Sequence, residues 1–135
     1  MDINQVYKNI QIIEKYLKHL NTFSFTSLEE FESQFNDYLA ISMSLFTILN
    51  ACIEIGESII DIKKLEFPQS YRYIFTILQN NSILSKEVAQ KLSICMKERN
   101  MIAHQYDEVD TKAIYNLYKD REIFNSFLEE IKVHF

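Results

Sequence analysis

Residues 99–106 read Arg-Asn-Met-Ile-Ala-His-Gln-Tyr, and they hold the most chemically suggestive side chains of the sequence. Arginine is a permanent cation whose planar fork of donors fits a phosphate. Histidine is the side chain that gives or takes a proton near neutral pH. Cleavage of a phosphodiester beside a ribose requires a base for the 2′-hydroxyl and positive charge for the phosphorane oxygens. Arg99 and His104 are candidates for those two roles.

Helices must position these groups. The 135-residue chain contains one Gly and one Pro, far below the roughly 7% and 5% of ordinary proteins. A sheet protein would need turn residues much more often. The chain is therefore read as a single all-α domain over residues 1–135, an antiparallel bundle of four main helices plus short C-terminal helices.

The first helix spans residues 3–20, with Asp2 as cap and Ile3, Val6, Ile10, Ile13, Leu17 and Leu20 on one face. A second, capped by Ser27 with Glu30 in the box position, is expected to run unbroken over 27–64. It carries two apolar stripes, one including Phe31, Phe35 and Tyr38, the other Ile41, Ile48, Ile55 and Ile62. Two stripes require cover on two sides, from the same chain or a second subunit. Gly56 allows close approach of a neighbouring backbone. Glu54 and Glu57 fall in this apolar region and receive no assignment.

Pro68 opens a third helix over 69–79, with Tyr71, Ile74, Phe75 and Leu78 inward. A fourth starts at Ser85 and carries straight into Arg99. Short helices over 111–118 and 121–133 follow, the last with Asp120 as cap. On an ideal helix Arg99 and His104 project roughly 140° apart. The helix unwinds near Ala103, or the long arginine reaches around, or the site is completed by a second subunit. A purely structural reading stands beside these, with Arg99 paired to Glu98 or Asp107 and His104 capping the helix end.

The net charge of −5 argues against a broad basic nucleic-acid surface. Cations for a polyanion must then be local, or supplied twice by a dimer. Cys52 and Cys95 lie in apolar patterns without ligand spacing, so both are expected to be reduced and buried, with no metal. No secretion signal is expected, because Asp2, Lys8 and Glu14 interrupt the N-terminus. The uncharged stretch from Tyr38 to Ile53 is read as a core helix rather than a membrane span.

The spacing of Arg99, His104 and Tyr106 resembles the R-x4-H-x-Y motif of the HEPN superfamily, in its HepT-like branch. The resemblance runs from about Phe31 through the long helix, then Phe67-Pro68-Gln69-Ser70-Tyr71, then Arg99 to Tyr106 and on to the C-terminus. It implies the toxin of a toxin–antitoxin system, a metal-independent endoribonuclease of the cytoplasm that needs no cofactor. His104 would deprotonate the 2′-hydroxyl, Arg99 would hold the scissile phosphate, and Asn100 would orient phosphate or imidazole. The products would be a 2′,3′-cyclic phosphate and a 5′-hydroxyl. The resemblance further implies a homodimer in which two motifs line one cleft. The partner would be a nucleotidyltransferase (MntA-like) antitoxin that AMPylates Tyr106. A related family serves instead as the non-catalytic substrate-binding subunit of minimal nucleotidyltransferases, and it remains the alternative, as does a plain helical dimer without a site.

Overall fold

The computed structural model describes residues 3–104 and 110–135. Among these residues there are seven helices and no strand: α1 (Ile3–Leu20), α2 (Leu28–Ser33), α3 (Phe35–Ile62), α4 (Tyr71–Asn80), α5 (Lys86–His104), α6 (Thr111–Lys119) and α7 (Glu122–Lys132). The all-α architecture expected from the scarcity of turn residues is the one observed. The helix α3 is its axis, packed most extensively by α1 and also by α4 and α5. Residues 81–85 are too few for anything but a tight reversal, so α4 and α5 form a helical hairpin against α3.

The first helix has the expected bounds and buries Val6, Ile10, Ile13, Leu17 and Leu20. The second does not run unbroken. Gln34 leaves the helical conformation (φ −108°, ψ 78°) between α2 and α3. In one continuous helix Phe31 and Phe35, four residues apart, would share a face. The break separates them: Phe31 is fully buried, whereas Phe35 is 64% exposed. Phe35 therefore does not belong to the buried stripe in which the periodicity placed it. Phe31 instead joins an aromatic cluster with Phe25, Tyr38 and Tyr115.

Capping explains several helix ends. The Ser27 hydroxyl accepts from the Glu30 N–H at 3.1 Å, while the Glu30 carboxylate reaches past Ser27 to the Thr26 N–H and hydroxyl. Ser70 caps α4 by accepting from the Tyr73 N–H. The helix thus begins two residues later than expected, and Pro68 lies ahead of the cap rather than in the first turn. Asp110 caps α6 through the Ala113 N–H. Asp120 does not cap the last helix; its N–H closes α6, and Arg121 occupies the N-cap of α7.

Gly56 faces α4, where an added Cβ would stand 2.4 Å from the Ile74 Cγ2 methyl. The close approach is thus to a β-branched side chain rather than to backbone. The candidate membrane-length stretch lies in α3, and 61% of its most apolar window is buried in the bundle. Both cysteines are buried, and burial pushes the Cys95 thiol up to about 12.

Candidate active site around Arg99

Arg99 occupies the penultimate turn of α5, and its guanidinium turns back toward α3 and α4. Its Nε–H donates to the Asn50 side-chain carbonyl at 2.9 Å, and Nη1 donates to the Asn100 side-chain carbonyl at 3.1 Å. The guanidinium carbon lies 4.9 Å from the Tyr71 ring centroid and 5.3 Å from that of Phe46. Both are within the range of cation–π attraction. Three helices therefore fix one cation: α3 through Phe46 and Asn50, α4 through Tyr71, and α5 through Asn100.

Phe46 and Asn50 are four residues apart, so they share a face of α3. Helix α4 brings Tyr71 there because Ile74, Phe75 and Leu78 are buried against the bundle. Tyr71 itself is not inward, contrary to the sequence pattern; it stays partly exposed, with its ring on Arg99.

The pairing of Arg99 with Glu98, the purely structural alternative, is not made. One Glu98 carboxylate oxygen is buried without a hydrogen-bond partner among the described residues. Burial first, and Asp110 further off, push the Glu98 carboxyl above the ordinary range, against the opposing pull of its own backbone N–H and Lys97. The guanidinium is thus held by amide oxygens and aromatic faces. Such partners orient a cation without neutralising it, and Nη2 makes no hydrogen bond among the described residues. An arginine held this way retains both charge and donors for an anion.

His104 is the last residue of α5 and is exposed. The helix remains intact up to it, so the imidazole does not reach Arg99 by unwinding at Ala103. The fold places Arg99 and Asn100 together and leaves His104 around the helix at its end. Tyr106 and Asp107 lie outside the described residues.

Sequence reasoning passed over Asn50, Phe46 and Tyr71 as contributors. Asn50 had one signal: it is the one carboxamide within the uncharged run from Tyr38 to Ile53. On the same helix Phe35, Leu39 and Met43, four residues apart, stand 64%, 46% and 55% exposed. This uncovered apolar stripe leads along α3 toward Phe46 and Asn50.

A family model described as ribonuclease HepT-like matches residues 13–131. The tRNA nuclease HepT of Aphanizomenon flos-aquae is 31% identical over 108 residues, covering 78% of this chain and 72% of that protein. The mRNA nuclease HepT of Shewanella oneidensis is 27% identical over 104 residues, covering 76% and 78%. The fold superposes on the tri-AMPylated Shewanella oneidensis HEPN toxin, solved in complex with an MNT antitoxin, with TM-score 0.86 and 24% identity over 98% of this chain and 99% of that one. This last likeness is one of fold.

Proposed function

The chain belongs to the ribonuclease HepT-like family, and from that premise we propose that it is the toxin of a toxin–antitoxin pair, an endoribonuclease acting in the cytoplasm. The observation that carries the site assignment is the Arg99 guanidinium, clamped by Asn50, Asn100, Tyr71 and Phe46 and left without a carboxylate partner among the described residues. It would bind the scissile phosphate and stabilise the charge that develops on it. His104, as general base, would take the 2′-hydroxyl proton. The oxygen then attacks phosphorus, the P–O5′ bond breaks, the 5′-oxygen takes a proton from water, and the products are a 2′,3′-cyclic phosphate and a 5′-hydroxyl. Asn100 supports this by fixing Arg99 rather than by touching substrate. No metal is assigned a step.

Arg99 and His104 of one chain diverge around α5, and this favours a site completed by a second copy. The exposed stripe of Phe35, Leu39 and Met43 supports a homodimer that would bring two motifs to one cleft. The expected partner is a nucleotidyltransferase antitoxin, as in the solved complex of the Shewanella toxin. It would attach AMP to Tyr106, and the added phosphate would compete for Arg99.

The test is cleavage of total RNA by the purified chain, with the ends of the products mapped. Cyclic phosphate ends that vanish in His104→Ala support the assignment. A folded parent without cleavage would favour the substrate-binding subunit of a nucleotidyltransferase. Incubation with the cognate transferase and ATP should add the mass of adenylate to the parent and not to Tyr106→Phe. Leu39→Glu should convert a dimer to a monomer in light scattering.

A further inference from the structure

A groove of about 400 Å³ lies between the end of α3 and the start of α4, and Tyr71 is part of its wall. The same Tyr71 ring lies on the Arg99 guanidinium. Phe46, Asn50, Glu57 and Asp61 follow one another at spacings of four or seven residues, so they mark one face of α3, and Lys64 lies in the turn just past its end. The face that holds Arg99 thus continues into the groove. Asn50 and Glu57 are separated by about 10 Å of helix rise.

We infer that this groove is a nucleobase subsite, seating the base next to the phosphate that Arg99 binds. The inference rests on the endoribonuclease reading above. Phe67 stands on its rim 89% exposed, an isolated aromatic face offered to solvent. Single-stranded RNA is held largely by such faces, which stack on splayed bases. The floor is apolar, with Ile74 fully buried.

The charges distinguish a base from a phosphate. Glu57 lines the groove beside Asp61, and the Glu57 carboxylate would repel the RNA backbone. A carboxylate does accept hydrogen bonds from the amino edge of a base. Glu57 is half-buried and makes no ion pair or side-chain hydrogen bond among the described residues. Burial, then Glu54, push its carboxyl above the usual range, as expected of a group that lacks a donor partner. Lys64 lies beyond these acids, where the neighbouring phosphate would pass. The pocket therefore favours adenine, cytosine or guanine, which carry amino groups, over uracil, which carries none.

The experiment uses the full chain and short single-stranded oligonucleotides with one cut site. Each base, or an abasic residue, is placed in turn on either side of the cut. On one side, the abasic residue should raise KM about tenfold, the size of one stacking interaction, with kcat unchanged. Phe67→Ala should cause the same loss, and the two changes together should cost no more than either alone. Phe67→Tyr should restore the parental KM, and Glu57→Gln should erase the discrimination against uridine. Full additivity, or parental KM in Phe67→Ala, would overturn the subsite. So would a Phe67→Ala variant that cleaves normally but no longer binds the antitoxin, which would make the groove a protein dock. A second readout separates this from the catalytic reading: a 2′-O-methyl oligonucleotide carrying 2-aminopurine should lose fluorescence on binding the parent and not on binding Phe67→Ala. Quenching without any cleavage leaves the subsite standing and sinks the nuclease. Cleavage without Phe67-dependent quenching does the reverse.

Discussion

Two arginines in this molecule are held in nearly the same way, and their difference separates architecture from chemistry. Arg121 donates from Nε to the Asn21 side-chain carbonyl at 2.8 Å, and its guanidinium carbon lies 4.4 Å from the Tyr118 ring centroid. Arg99 repeats that arrangement with Asn50 and Tyr71. The contrast is at Nη1. In Arg121 it donates to the Tyr118 backbone carbonyl at 2.9 Å, which also takes the Arg121 backbone N–H at the end of α6. In Arg99 it donates to the Asn100 side chain, which has water as an alternative because Asn100 is exposed. Arg121 therefore ties the α6–α7 corner to the end of α1. Arg99 is oriented by its neighbours, but few of them depend on it.

The sharpest way to break this comparison is to truncate each arginine. Arg99→Ala should lower RNA turnover by about 10²–10³-fold, as loss of one charge-stabilising donor does. His104→Ala should cost about 10²–10⁴. Neither should move Tm by more than a few degrees. Arg121→Ala should do the opposite, keeping turnover and losing about 1–2 kcal/mol, read as a fall in Tm of about 5 °C. Matching losses in both assays for both variants would erase the distinction.

The two asparagines extend the test. Asn50→Ala should leave Arg99 charged but less fixed, lowering kcat about tenfold. Asn21→Ala should leave kcat unchanged and lower Tm. Gly56→Ala acts on one clamp only, because its methyl would press on Ile74 and push α4, with Tyr71, away from Asn50. Overpacking costs about 1–3 kcal/mol and the gain in helix propensity returns about 1. A net loss of up to about 2 kcal/mol with a fall in kcat is expected, measured by thermal melts and turnover.

The smallest effect concerns Glu98. Its carboxyl is raised in the folded chain, so folding favours the protonated form. That stability is present below the ordinary carboxylate range and is lost as pH rises through the raised value. Glu98→Gln should therefore gain about a degree in Tm at neutral pH, and the gain should vanish below about pH 4. If Glu98 were the partner of Arg99, the variant would lose stability at neutral pH instead.

Much of the fold could be read in the sequence because helical periodicity is local. The bounds of α1 and the inward positions Ile74, Phe75 and Leu78 follow from apolar residues three and four apart. The same rule misplaced Phe35 and Tyr71. Periodicity says which face is apolar and is silent on what covers it. Phe35 extends the stripe in sequence, yet the kink at Gln34 takes it out of the core. The site was legible only in part, for a related reason. Arg99, Asn100 and His104 stand close together in the chain, and their types suggest their chemistry. Asn50 lies 49 residues from Arg99, and no local pattern links the two.

The sequence by itself determined a helical chain, the start set by Ser27, and a cation and an imidazole five residues apart. Short-range spacing and hydrogen-bonding capacity are enough for those. Only the tertiary structure decided that Arg99 faces Asn50 and Tyr71 rather than Glu98, and that α5 stays helical as far as His104. Which distant surfaces meet depends on how whole helices pack. Burial of Ile74, Phe75 and Leu78 set that packing, and the polar groups of the site were carried into place with it.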